Sequence, residues 1–344
     1  GCFKYSFCSI MDSISDEKDT EEQNSTFVLP NDVFSHILQR LPQVHIHNAT
    51  VESRSFYNII HENYHLLDRR KLHGFSITHG KNERYPFLLQ MTFKSVSGED
   101  SRVNIHDHEE VINIESVGQL TAFLRMFDMK NLDHLYVLGA DNFDIFSVLE
   151  ELFEIGSNIR DLHISKLEEK NFASFRIFID KFSSIKWFAI YDICASSEGT
   201  EYVNSLLSLS SFNTVESFTI RESPGTKILS ADMVINIFRK NPNMMSLGIG
   251  SWNIEFLKNL FKTFFTMDQT HKKEDECNYC EINLDLFYEG EFKSLHDILR
   301  SDLSDLENVE EVAMPYSGSA LFESVMDCKY CLRNKHKIKR YIMM

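Results

Sequence analysis

The stretch of residues 131–164, NLDHLYVLGADNFDIFSVLEELFEIGSNIRDLHI, contains the pattern that decides the fold. It begins with a short run in which Leu135 and Val137 alternate with other residues, and this alternation predicts a β-strand with one buried side. A stretch of helical character follows at 143–155, with its apolar residues on one face. A second alternating run, around Leu162, closes the stretch. These residues therefore predict one strand, one helix and a second strand.

The same pair of apolar residues, separated by one position, recurs to the end of the chain. Successive pairs begin 26 to 37 residues apart. The pairs are Leu135/Val137, Leu162/Ile164, Phe188/Ile190, Phe218/Ile220, Leu247/Ile249, Leu284/Leu286 and Val312/Met314. Further helical stretches separate them, at 172–182, 202–209, 231–239, 255–265 and 292–303. The sequence thus predicts an α/β fold of about seven irregular strand–helix units.

Self-similarity at this period resembles a leucine-rich-repeat solenoid, in which each unit supplies one strand to a continuous sheet. The Asn or Cys that normally closes each turn of that repeat is missing here. An ordinary α/β domain with alternating strands and helices is the alternative. The region before the repeats, 71–115, has strand-like runs at 74–78, 87–96 and 103–106, which predict a small antiparallel sheet linking it to what precedes.

Residues 27–70 carry a different, helical pattern. The segment 29–42 reads LPNDVFSHILQRLP, and VESRSFYNII follows at 51–60. Pro30 suits the first turn of a helix, where its missing N–H costs nothing, and Pro42 ends that helix. The apolar residues between them form one broad face. A unit of about 40 residues is too small to bury that face alone, so part of it is expected to contact another protein or domain.

These two segments resemble the F-box motif, with a Leu-Pro entry, an Ile-Leu pair, a second Leu-Pro and a Val-Glu-Ser-Arg-Ser-Phe stretch. Gln43 replaces a frequent acidic residue, and Phe56 stands where Trp is frequent. The Phe-rich region that follows resembles, more loosely, the nematode-type group of F-box proteins. A three-helix cap that closes the repeat array is the purely structural alternative for 27–70.

The F-box resemblance implies a non-catalytic substrate-recognition subunit of a Skp–cullin–F-box ubiquitin ligase. It implies that residues 27–70 bind a Skp-type adaptor, and through it a cullin, while 116–344 bind an unknown protein substrate. The implied adaptor-binding residues are Leu29, Pro30, Val33, Ile37, Leu38, Leu41, Pro42, Val51 and Phe56. A scaffold or regulatory protein that binds the adaptor without a role in ubiquitination is the alternative, and an enzyme with a helical N-terminal cap is a third hypothesis.

No substrate can be named from the sequence. Asp133, His134, Tyr136 and His163 flank the buried positions of the first two repeat strands, and we take them as hypothetical substrate contacts. Signatures of hydrolases, metalloproteases, nucleotide-binding loops and dinucleotide-binding folds are missing from the sequence. No catalytic residue is therefore predicted.

Two similar Cys-x-x-Cys pairs raise the question of a metal. Four thiolates from Cys277, Cys280, Cys328 and Cys331 would suit a structural zinc ion. The long separation of the two pairs does not match a compact zinc ribbon, and a reduced thiol pair or a reversible disulfide is the alternative. We therefore expect no cofactor, with structural zinc as the exception to test.

The composition limits the classes of partner. The formal net charge of -16 disfavours binding to nucleic acid and to anionic membranes. No apolar run approaches the roughly 18 residues that a membrane-spanning helix needs. Seven scattered cysteines favour a reducing compartment, the cytoplasm or nucleus. The acidic N-terminal segment 1–26 is expected to be disordered, with 1–10 an upstream extension before a possible start at Met11.

Overall fold

The computed structural model describes residues 69–80, 84–94, 108–139, 143–196, 198–241, 243–269, 281–315, 318–329 and 337–344. Seven α-helices lie in these ranges: α1 (Val117–Arg125), α2 (Ile145–Leu152), α3 (Phe172–Asp180), α4 (Gly199–Leu206), α5 (Ala231–Lys240), α6 (Ile254–Thr266) and α7 (Phe292–Asp302).

The described strands are β1 (Arg70–Lys71), β2 (Gly74–His79), β3 (Phe87–Phe93), β4 (His108–Ile114), β5 (Phe127–Asp128), β6 (Asn131–Leu138), β7 (Ser157–Ile164), β8 (Leu167–Glu168), β9 (Phe182–Cys194), β10 (Ser217–Glu222), β11 (Ser246–Ser251), β12 (Glu281–Tyr288), β13 (Val309–Val312), β14 (Leu321–Asp327) and β15 (Lys337–Met343). The chain is thus a mixed α/β protein.

One large mixed sheet organises the described residues. Its strand order is β13-β14-β15-β12-β11-β10-β9-β7-β6-β2-β3-β4, with the short β8 beside β9, and β1 pairs with β5 separately. From β6 to β12, each main strand pairs in parallel with the one before it, and β2 and β15 extend the parallel region at its two ends. Such an order arises when successive strand–helix units are added side by side.

The apolar pairs of the repeat pattern form two registered rows across the sheet. One row runs Phe75, Leu135, Leu162, Phe188, Phe218, Leu247, Leu284 and Ile342, and its members are at most 2% exposed. The second row runs Ile77, Val137, Ile164, Ile190, Ile220, Ile249 and Leu286. Six of the seven predicted strand pairs are therefore confirmed, and they share a single register.

The helices cover the face of the sheet to which these rows belong. Phe175 of α3 packs against Phe188 of β9, with ring centroids 6.3 Å apart. Phe146 of α2 lies edge-on to Phe175 at 4.8 Å, so neighbouring helices also contact each other through phenylalanines. The high Phe content serves this core, in which edge-to-face aromatic pairs add to the burial of apolar area. The opposite face of the sheet carries polar and aromatic side chains, such as Tyr136, His163 and Trp187.

Side chains at the helix starts fix where several helices begin. Ser116 Oγ accepts a hydrogen bond from the Gln119 N–H, and Ser230 Oγ does the same for Met233, both at 3.2 Å. Asn253 Oδ1 accepts the Phe256 N–H at 3.2 Å. Each bond satisfies a backbone donor that has no partner within its helix. The bounds of the predicted helices at 231–239 and 255–265 are accordingly close to those observed.

Two expectations about the ends of the sheet need correction. The seventh unit, expected at Val312/Met314, is not a further parallel unit: Val312 ends β13, which pairs antiparallel with β14, and the place beside β12 belongs to β15. At the other end, β2 and β3 pair antiparallel as expected, β4 pairs antiparallel with β3, and β2 also pairs in parallel with β6. The strands of 71–115 therefore extend the large sheet and do not form a separate one. The expected third run at 103–106 lies outside the described residues.

One buried polar side chain, that of Arg340, connects β15 to α6. Arg340 of β15 is 1% exposed and donates from Nη1 to the carbonyl oxygens of Phe264 and Phe265, at 3.2 and 3.1 Å. These carbonyls belong to the last turn of α6, which has no intrahelical donors for them. Burial lowers the pKa of the Arg340 guanidinium from its usual value. The C-terminal strand is thereby tied to α6 as well as to β12.

None of the helices in the described ranges could cross a membrane. The longest of them, α6, has 13 residues, well below the roughly 20 that a bilayer requires.

Candidate binding surface on the open face of the sheet

The face of the sheet opposite the helices carries the residues that alternate with the buried rows. Two registered rows cross this open face. The first contains Gln90, Ser76, Tyr136, His163, Ala189, Thr219, Gly248 and Asp285. The second contains Thr92, Gly74, His134, Asp161, Trp187, Ser217, Ser246 and Asn283. Trp187 and Tyr191, both on β9, remain 44% and 41% exposed.

A continuous series of side-chain contacts runs along this face from β3 to β9. Thr92 Oγ1 lies 2.9 Å from His134 Nε2, and the His134 ring stacks on Tyr136 at 5.2 Å between centroids. Tyr136 is edge-on to His163 at 4.7 Å, and the Tyr191 hydroxyl lies 2.8 Å from His163 Nδ1. Each side chain in this series is therefore held in place by its neighbours.

Arg221 continues the series to β12. Its guanidinium carbon lies 5.7 Å from the centroid of the Tyr191 ring and 3.8 Å from that of Phe287. Cation–π contacts of this kind are worth about 0.5 to 2 kcal/mol. We call the seven residues Thr92, His134, Tyr136, His163, Tyr191, Arg221 and Phe287 the open-face row. They extend over eight adjacent strands, roughly 34 Å at about 4.8 Å per strand.

Two glycines make room for this row. A Cβ atom on Gly74 would overlap the His134 ring, and one on Gly250 would lie 2.6 Å from Arg221 Cγ. Both glycines sit on strands that the longer side chain crosses: His134 passes over β2 to reach Thr92, and Arg221 passes over β11 to reach Phe287. The absence of a side chain at these two positions lets the long side chains lie flat on the sheet.

A charged group borders the row on its β6 and β7 side. Arg160 forms ion pairs with Asp133 at 3.1 Å and with Asp161 at 3.7 Å. Its guanidinium also lies 5.2 Å from the centroid of the Trp187 ring. His73 Nε2 is 3.5 Å from the other oxygen of Asp133. The charge of Arg160 is thus paired with the carboxylates of Asp133 and Asp161 beside β6 and β7.

Burial shifts the protonation of three groups here. It raises the pKa of Asp161, and it raises the pKa of Tyr136, which Asp161 and Tyr191 raise further. Burial lowers the pKa of His163, so this imidazole is neutral near pH 7. The neutral imidazole of His163 and the Tyr191 hydroxyl can share one hydrogen bond, the direction of which depends on the tautomer. The surface offers aromatic rings, hydrogen-bonding groups and a cation, which suits recognition.

The structure places the hypothetical substrate contacts as follows. His134, Tyr136 and His163 lie side by side in the open-face row, whereas Asp133 sits in the charged group with His73 and Arg160. Their role in binding stays a prediction. The sequence reasoning missed Trp187, Tyr191, Arg221 and Phe287. Their signal was available, because each directly flanks a residue of the buried rows, Phe188, Ile190, Ile220 and Leu286.

The two other predicted sites fall largely or wholly outside the described residues. This holds for all nine implied adaptor-binding residues and for Cys277, Cys280 and Cys331. Cys328 is buried, and its Sγ accepts a hydrogen bond from Gln269 Nε2 at 3.1 Å. Within the described ranges, no cluster of three or more His, Cys, Asp or Glu side chains is arranged to hold a metal ion. Both sites stay predictions.

Comparisons of the chain with protein-family models, with curated proteins and with solved structures gave no match.

Proposed function

We propose that this chain is a substrate-recognition subunit of a Skp–cullin–F-box ubiquitin ligase, and that the open face of its sheet binds the protein substrate. Under this proposal the protein performs no bond chemistry. It holds a target lysine close to a charged conjugating enzyme, so that its contribution is a high effective concentration.

The open-face row is the observation that supports substrate binding by this face of the sheet. Aromatic residues and arginine are enriched in protein interfaces, because they bury much area and form several kinds of contact. Here such residues are aligned along roughly 34 Å of one face and are held rigid by their mutual contacts. A rigid surface loses little conformational entropy when a partner binds.

The sheet order supports a leucine-rich-repeat-like interpretation of 116–344. Consecutive strands from β6 to β12 are neighbours and parallel, and helices lie between them in the sequence. In repeat proteins of this type, each unit packs only on its neighbours and one face is left for a partner. The proposed array is irregular, and antiparallel strands border it at both ends.

The adaptor-binding half rests on the F-box resemblance of residues 27–70. The direct test is co-expression of the full chain with a Skp-type adaptor, followed by size-exclusion chromatography. We expect stoichiometric co-elution, and loss of co-elution for Ile37→Asp, because a charge would be buried in an apolar interface. The matched control is Ile177→Asp, the same substitution on the exposed side of α3, where the residue is 50% exposed, and this variant should co-elute normally.

Two outcomes would separate the proposal from its alternatives. If the complex of chain and adaptor also recruits a cullin, the ligase role is supported over that of a scaffold or regulator. If the wild-type chain is soluble and folded but does not co-elute with the adaptor, the F-box assignment is contradicted. The role of the open face would then be tested by itself through the surface variants described below.

A further inference from the structure

The guanidinium of Arg221 lies on the open face and has no charged partner among the described residues. Elsewhere in the described residues, Arg69, Arg70, Arg160 and Arg300 each pair with a carboxylate, at distances of 2.9 to 3.2 Å. Within the same ranges, Arg221 has neither an ion pair nor a side-chain hydrogen bond, and its Nε is buried without an acceptor. Its guanidinium lies near the rings of Tyr191 and Phe287, and its aliphatic stem passes over Gly250.

The fold positions this unpaired cation with some rigidity. Gly250 lets the aliphatic part of Arg221 lie flat across β11, with Cβ, Cγ and Cδ all close to the glycine. Phe287 then supports the guanidinium from below at 3.8 Å. Guanidinium groups stacked on aromatic rings keep their N–H donors directed outward in the guanidinium plane, where they can bind a carboxylate or a phosphate through two hydrogen bonds.

Aromatic and small side chains lie around Arg221. Tyr191 lies on one side of it, and on the same strand Trp187 is also exposed, with the small, buried Ala189 between them. Because Ala189 and Thr219 are in register, this low part of the surface continues from β9 to β10. A bulky apolar side chain of a ligand that lay over Ala189 would place an adjacent anionic side chain near Arg221.

We infer that Arg221 is the anchor of a peptide-binding site that takes a protein segment with an anionic side chain next to a bulky apolar one. This inference rests on the proposed function and names the chemistry of the substrate segment. The shared chemistry of the anion is a small oxyanion with paired acceptor oxygens, supplied either by an Asp or Glu carboxylate or by a phosphorylated residue.

The test selects peptides from a displayed library of random linear sequences on the immobilised full chain. We expect the wild-type chain to enrich peptides with Asp or Glu at one fixed position beside an apolar residue. The selected sequence is then synthesised with Glu, Gln or phosphoserine at that position, and its affinity is measured by fluorescence anisotropy. The Glu and phosphoserine peptides distinguish the two sources of the anion, and the Gln peptide measures what the charge contributes.

Variants assign the preference to Arg221. Arg221→Met keeps a stem over Gly250 and against Phe287 but removes the cation, and we expect the Glu peptide to bind about tenfold to a hundredfold more weakly. Arg239→Met, on the exposed side of α5, is the matched control and should bind like the wild type. Phe287→Leu removes the supporting ring but keeps Arg221, so an intermediate loss is expected. Binding by the wild type should also weaken at higher salt.

Three results would overturn the inference: no peptide enriched above background, enriched peptides without an anionic position, or Arg221→Met binding the Glu peptide as tightly as the wild type. Thermal unfolding of each variant excludes loss of fold as the cause. Adaptor binding is measured on the same preparations. If the chain does not bind the adaptor but shows an Arg221-dependent peptide preference, the ligase role is refuted and the peptide-binding site stands. If the chain binds the adaptor but shows no such preference, only the peptide-binding site is refuted.

Discussion

Gly250→Ala tests whether the open-face row depends on a position without a side chain. An added Cβ would lie 2.6 Å from Arg221 Cγ, 2.8 Å from its Cβ and 3.1 Å from its Cδ. Carbon atoms in ordinary contact are about 3.5 to 4.0 Å apart, so the stem of Arg221 must move by roughly 1 Å. The guanidinium then leaves the Phe287 ring, on which it now lies at 3.8 Å.

The size of the effect follows from three contributions. Overpacking costs about 1 to 3 kcal/mol, and loss of the cation–π contact costs about 0.5 to 2 kcal/mol. Replacing a strand glycine by alanine returns roughly 0.5 to 1 kcal/mol through the reduced entropy of the unfolded chain. We therefore expect Gly250→Ala to lower the free energy of unfolding by about 1 to 4 kcal/mol.

The assay is urea denaturation of the purified full chain, with the free energy taken from the midpoint and slope. Gly80→Ala is the matched control, because an added Cβ there meets nothing within 4 Å, and we expect a change within about 0.5 kcal/mol. In an Arg221→Ala background, Gly250→Ala should cost less, since two of the three close atoms are gone. Equal costs for Gly250→Ala and Gly80→Ala, or no relief in the double variant, would refute the reasoning.

Two further predictions concern the core and the pH dependence. The side chain of Glu222 is 4% exposed. Its carboxylate accepts hydrogen bonds from the N–H groups of Ile228 and Leu229, at 2.7 and 2.8 Å, and from the Ser251 hydroxyl, at 2.5 Å. Glu222→Ala therefore leaves three donors unsatisfied. We expect it to destabilise the chain by about 3 to 5 kcal/mol in urea denaturation, against less than about 1 kcal/mol for Glu216→Ala, which breaks only a solvent-exposed pair with Lys186; similar costs would contradict this account. Burial in the folded chain lowers the pKa of His163 below its usual value of 6.5. As the pH falls, this histidine is therefore protonated in the unfolded chain before it is protonated in the folded chain. Its contribution to the free energy of unfolding is lost as the pH falls from 6.5 through the lower pKa of the folded state. Urea midpoints measured at about pH 7.5 and 5.5 should therefore fall less for His163→Gln than for the wild type, and an equal fall would show that this histidine does not contribute.

The sequence determined much of the central part of the sheet. Alternation of apolar residues at pairs such as Leu135/Val137 and Leu247/Ile249 predicts strands because only one side of each is buried, and these pairs lie in register in the structure. The intervening helices were predictable for the same reason, from their apolar faces. The antiparallel pairing at Val309–Val312 was not predictable, because an isolated alternating run carries no information on the direction or identity of its neighbour.

The candidate surface divides in a similar way. Sequence alternation indicated that His134, Tyr136 and His163 face away from the buried rows, and this needs only the two-residue period of a strand. That they form one row with Arg221 and Phe287 depends on the register of strands far apart in the sequence, and on Gly74 and Gly250 lying where a long side chain crosses. The sequence by itself thus determined which side chains are turned outward, because that is a local property of a strand. Which of them meet was decided only by tertiary structure, because pairing between distant strands sets those distances.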